Sequence, residues 1–219
     1  MVRTGQVRRT EGAALEKIAT ALGCADEQTL EVADVIVECV CPPARTRLER
    51  DTTLLGAVRV AAARVDGRDL DPDAACATLG VDPAALADAE ALLESELGPQ
   101  ASADEVRTLR RRLLVVTEIE AALETGRSNA PRLPRAYPAD PALVALTDGP
   151  LERVDETTLR SHRRRLETDL ELARLGVRLH TLLCEQRATA ATTADERASG
   201  ASELSPNAVS TDGEDEPSS

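Results

Sequence analysis

The sequence predicts an all-α protein: a five-helix domain, then a long antiparallel helical pair, then an acidic tail. Three observations lead there. Apolar residues recur at three- and four-residue spacing through most of residues 13–187, the period of helices with one buried stripe. The Asp-Pro pairs at 71–72 and 82–83 each supply a cap followed by a first-turn proline,. The chain has no Phe or Trp, and Tyr137 is its one aromatic, so any core is built from Leu, Val, Ile and Ala. Small apolar side chains of that kind suit closely approaching helices.

Residues 1–12 are polar and carry Arg3, Arg8 and Arg9, and they read as a disordered N-terminus. Leu15, Ile18, Ala19 and Leu22 then mark a first helix that Gly23 can end,. Asp26 is a candidate N-cap for a second, with Leu30, Ala33, Ile36, Val37 and Val40 inward and Pro42-Pro43 as its stop,. A third runs over about residues 50–65 and ends at Asp66-Gly67. The fourth opens at Asp71-Pro72 and closes near Gly80, and the fifth opens at Asp82-Pro83 with Leu86, Leu92, Leu93 and Leu97 inward. Gly98-Pro99 closes this domain, residues 13–98.

Residues 102–187 form the second module. One helix, 104–124, carries Val106, Leu109, Leu113, Val116 and Leu123 on a stripe. A second, 155–187, carries Leu159, Leu166, Leu170, Leu175, Leu179 and Leu182, so the two can bury their stripes on each other,. Between them the segment 126–150 holds five prolines and reads as a loop with one turn at 142–146,. From Ala188 to Ser219 there is almost nothing to bury, which reads as a disordered acidic tail,.

Charge narrows the function classes. The net charge is −13, and the excess acid sits in residues 1–100 and in the tail, while 101–186 is balanced. An acidic surface disfavours nucleic acid, whose affinity comes largely from phosphate neutralisation. Molar salt shortens that repulsion to a few ångströms, and a chain with Lys17 as its single Lys among 26 basic residues is compatible with a salt-adapted source. No segment resembles a signal peptide and none nears the roughly 20 apolar residues of a membrane span. The expectation is a cytoplasmic protein with no membrane contact.

Cys24, Cys39, Cys41, Cys76 and Cys184 include no CxxC pair. Their mostly apolar-periodic placement favours buried reduced thiols over a zinc half-site at Cys39 and Cys41. No HExxH, GxSxG, phosphate-cradling glycine loop or Cys-His signature occurs, so neither an enzyme nor a cofactor or metal is expected.

The stretch 53–97 is the most specific. Ala57, Ala61, Ala62 and Ala63 thin the third helix so that neighbours can close around it,. Cys76, Gly80 and Leu86 stand where a helix-turn-helix places a small residue, a turn and an anchor; the competing reading is a packed helix corner,. Five helices with an alanine-rich third, a short fourth and a longer fifth resemble one cyclin-type repeat of the transcription factor B family. Residues 47–50 and 57–64 stand where that family has a basic loop and an alanine-rich run, and Arg68 matches an arginine often found before its fourth helix. The resemblance implies a cyclin-like fold, transcription regulation, and contact with DNA phosphates through Arg45, Arg47, Arg50 and Arg68, or with a transcription protein. The chain departs from the family in lacking a zinc ribbon in residues 1–12 and a second repeat after Gly98.

Asp82, Asp88, Glu90, Glu94 and Glu96 give the fifth helix an acidic face, where a base-reading helix offers Arg, Lys, Asn or Gln,. Any DNA contact therefore shifts to the four arginines, which can equally form ion pairs with Glu49, Asp51 and Asp69. Arg110, Arg111, Arg112, Arg163, Arg164 and Arg165 can snorkel beside the helix pair or form a nucleic-acid or acidic-partner surface. The first expectation is thus a non-enzymatic, transcription factor B-like protein. The alternative is a helical interaction or scaffold protein with no nucleic-acid role.

Overall fold

Caps and glycines fix most helix ends in the computed structural model, which describes residues 3–40, 49–127 and 154–202. All regular elements among them are helical: α1 Arg3–Ala21, α2 Glu27–Val35 continuing as a π-type turn Ile36–Val40, α3 Arg50–Asp66, α4 Pro72–Leu79, α5 Pro83–Leu97, α6 Ala103–Glu124, α7 Glu156–Leu175 and α8 Val177–Ser202. Asp26 caps α2 by accepting from the Thr29 amide at 2.8 Å. Asp71 and Asp82 cap α4 and α5 ahead of their prolines,. Ser102 opens α6 with a reciprocal capping box to Glu105,.

Helix α3 is buried on nearly every side, from Thr52 through Val65. A helix of ordinary bulk could not be enclosed in this way. Gly56 brings α3 close to α5, where a Cβ built on it would lie 3.5 Å from Ala89 Cβ. Helices α1, α2, α5 and α7 all pack against α3. The resulting core joins Leu15, Val32, Ile36, Leu54, Val58, Leu86 and Leu93. A second cluster, Val115, Val116, Ile119, Ala122, Leu159 and Leu166, joins α6 to α7.

Three features differ from the sequence reading. Helix α1 starts at Arg3, inside the stretch read as disordered; no proline interrupts residues 1–12, and composition alone understated their helix propensity,. The expected single helix 155–187 breaks at Gly176 into α7 and α8. At and beyond that break Leu175, Leu179 and Leu183 join the first core rather than the cluster on α6. Helix α8 also continues to Ser202, past the expected end near Arg187.

By contact density the chain divides into Met1–Leu183 and Cys184–Ser219. In the second unit, threonines along α8 bond back to the preceding turn, as Thr189 Oγ1 does to the Glu185 carbonyl at 2.9 Å,. The proline-rich segment with its turn at 142–146, and residues 203–219 of the tail, lie outside the described residues. No helix among the described residues is long and apolar enough to cross a membrane.

Candidate functional site

Of the four arginines singled out by sequence, Arg45 and Arg47 lie outside the described residues, as does Cys41. Arg50 is exposed at the start of α3. Arg68 donates to the Gly23 carbonyl at 3.1 Å and pairs with Asp66 at 3.3 Å. That arrangement ties the α3–α4 connection to the end of α1 and leaves Arg68 half-exposed. The structure does not bring Arg50 and Arg68 together through any bond among the described residues.

The acidic face of α5 is largely a set of internal partners. Glu90 accepts from Arg59 at 2.5 Å, Glu94 pairs with Arg64, and Glu96 pairs with Arg178 at 3.1 Å. Sequence reasoning had put these three acids on a surface. What α5 does expose is Pro83, Ala84, Ala87, Asp88 and Ala91, together with Glu94 and Ser95. Cys76 is buried, Gly80 ends α4 with φ of 69°, and Leu86 is buried. This is the packed-corner geometry, with the Val81 amide bonding the Cys76 carbonyl at 3.1 Å,.

Sequence reasoning missed Arg64. It is 1% exposed, the largest fully buried side chain among the described residues. Its Nη1 donates to the Leu175 carbonyl at 2.6 Å, while Nη2 reaches Glu94 and, at 3.0 Å, the Gly98 carbonyl. Two neighbouring bonds complete a clasp on the C-terminus of α7: the Ala101 amide donates to the Ala173 carbonyl at 2.9 Å, and Gln100 Nε2 to the Arg174 carbonyl at 2.7 Å. Donors thus meet carbonyls that a helix end leaves without intrahelical partners. Gly176 makes room for the clasp: its φ is 81°, and a Cβ there would lie 2.8 Å from the Pro99 carbonyl oxygen. The available signal was compositional: two arginines one turn or so apart in the otherwise apolar run 54–65 of α3, with Glu90 and Glu94 a turn apart on α5.

Beside the clasp lies a cleft of about 260 Å³ between α3, α6 and α7, lined by Arg64, Arg107, Arg110 and Arg174 with Ala63, Gly67, Gln100, Ala101, Ala103, Val106 and Ala173. Arg107 pairs with Asp104. Arg174 is 3.7 Å from Asp66, a separation too long for a hydrogen bond. Burial pushes the Arg174 guanidinium below its ordinary pKa; the Arg110 charge adds to that, and Asp66 and Glu171 oppose it,.

Burial also raises the thiol pKa values of Cys24 and Cys76, with Asp26 adding at Cys24, which makes both poor nucleophiles at neutral pH,. Among the described residues no group of three His, Cys, Asp or Glu is placed to hold a metal ion. No protein-family model, curated protein or solved structure matches this chain. Fold and chemistry together define an all-helical protein with an arginine clasp and an arginine-lined cleft.

Proposed function

We propose that this chain is a non-enzymatic helical interaction protein, built from a cyclin-like five-helix core and an antiparallel helical pair, α6 with α7, that faces an acidic partner. One observation carries the reading. Arg110, Arg111 and Arg164 are exposed on that pair and have no carboxylate partner among the described residues, although the chain holds 39 acidic residues against 26 basic ones. Arginines left unpaired amid such an acid excess are available to a partner's carboxylates. Reversing charge at Arg111 and Arg164 together should abolish capture of the partner from the source cell while leaving the helical circular dichroism spectrum unchanged. Equal capture by the double variant would refute the reading.

A second reading, a transcription factor B-like protein that touches DNA phosphates, is favoured by the enclosure of α3 among α1, α2 and α5, as in a cyclin-type repeat. Its contacts would run through Arg50 and Arg68, with Arg45 and Arg47. The exposed side of α5 supplies no Arg, Lys, Asn or Gln, which argues against base reading there,. Salt-dependent retention of duplex DNA, lost when Arg47, Arg50 and Arg68 are replaced together, would favour this reading. Retention no greater than that of an acidic control protein would remove it.

A further inference from the structure

We propose that the cleft between α3, α6 and α7 is a binding site for a phosphate-type oxyanion. Four guanidinium groups line it and no carboxylate does, in a chain whose acids outnumber its bases. The neighbouring cleft on the same helix pair, about 200 Å³, shows what this protein otherwise does with arginine. There Arg160 and Arg163 share the lining with Glu120, Glu124 and Glu156, so every positive group has an acid beside it and the acids are in excess by one. The lining of the larger cleft has no such acids.

Two of the four positive groups are already paired with acids outside the cleft lining, which leaves Arg110 and Arg174 to face it. Arg64 is turned to Glu94 and two carbonyls, Arg107 to Asp104, and Arg174 stays beyond hydrogen-bond reach of Asp66. Arg110 has no carboxylate partner among the described residues and adds its charge to the environment of Arg174. The Nε atoms of Arg64 and Arg174 are both buried and have no hydrogen-bond partner among the described residues. A buried donor without a partner is costly, and adjacent like charges repel. A dianion accepting from Arg110 and Arg174 would relieve the repulsion and supply acceptors in the geometry that guanidinium forks favour. The cleft, about 260 Å³, has room for an oxyanion group and for a small substituent on it.

This inference shares Arg110 with the interaction reading but concerns a small anion in the cleft, and it is tested apart from that reading, whose charge reversals fall on Arg111 and Arg164. The test is calorimetric titration of the full chain with inorganic phosphate and, separately, with phenyl phosphate, at fixed ionic strength in chloride. Saturable binding is expected. Arg110→Gln should weaken it about tenfold, the scale of one charge-assisted hydrogen bond, and Arg111→Gln, an adjacent exposed position outside the cleft, by less than about twofold. Tighter binding of phenyl phosphate identifies a phosphate monoester as the natural ligand, and tighter binding of inorganic phosphate the free ion. Absence of saturable binding in both titrations, or equal weakening by the two glutamine variants, overturns the proposal.

Discussion

Replacing Arg64 with Met keeps the unbranched stem of the side chain and removes its five donors. The buried Leu175 carbonyl and the part-buried Gly98 carbonyl would then lose their guanidinium partner. Each such loss costs about 1–3 kcal/mol. The Glu94 side chain is 48% exposed, so water replaces the guanidinium there and the loss is small,. Methionine no longer has to be stripped of a charge's hydration, which offsets part of the total. The net is about 3 kcal/mol, and at about 2–4 °C per kcal/mol for a protein of this size the melting temperature should fall by about 9 °C. Thermal unfolding followed by far-ultraviolet circular dichroism, with Glu94→Gln as companion, measures it. The companion should shift by no more than about 1 kcal/mol. An Arg64→Met protein that melts within about 2 °C of the parent would show that the clasp contributes nothing, and the account of the α7 end would fall.

Two glycines should respond in opposite directions. Gly176→Ala places a Cβ 2.8 Å from the Pro99 carbonyl at a positive φ and should cost about 3 kcal/mol in urea unfolding. Gly56→Ala meets Ala89 and Leu93 at an ordinary 3.5 Å, within a helix, and should be neutral or stabilising by up to about 1 kcal/mol. A fragment ending at residue 100 loses Leu175, Leu179 and Leu183 from the first core. At about 2 kcal/mol for each buried leucine that is about 6 kcal/mol, comparable with the whole stability of many domains; no cooperative melt is expected, and a sharp one would refute the assignment.

Acid should also destabilise. Burial works against the charge of Asp26, but hydrogen bonds from Thr29 outweigh it and hold that carboxyl below its ordinary value. Bonds from Thr158 and Thr157 lower Asp155, and bonds from Ser102 lower Glu105. Folded values below unfolded ones mean stability that is present above about pH 4 and lost as the pH falls through the folded values. Urea midpoints measured from pH 6 down to pH 3 should decline below about pH 4, less steeply in Asp26→Asn, which keeps a capping side chain without the charge.

The legible parts of the fold were those governed by local chemistry. The Asp-Pro starts of α4 and α5, the Asp26 cap and the glycine ends of α3 and α4 depend on residues within one turn of each other. The break at Gly176 was not legible, because an isolated glycine in a helical pattern is tolerated until something distant requires it. Here the requirement comes from the Pro99 backbone, remote in sequence. The candidate site divided in the same way. The arginines were visible as residue types, but neither their burial nor their partners were, since Arg64 meets Leu175 across 111 positions. The α5 acids were read as a face for the same reason: periodicity gives a residue's direction on a helix but not what waits there.

Leu175 within the clasp and Leu179 and Leu183 just after it have a consequence for biosynthesis. When Leu97 leaves the ribosome all five early helices have been made, yet their core still lacks side chains that arrive about 86 residues later, with Leu183. At the usual 5–20 residues per second this is an interval of about 4–17 s. During it the nascent chain carries an apolar surface that nothing of its own can cover. Translation speed across the α6 and α7 coding region therefore sets how long a chaperone must shield it.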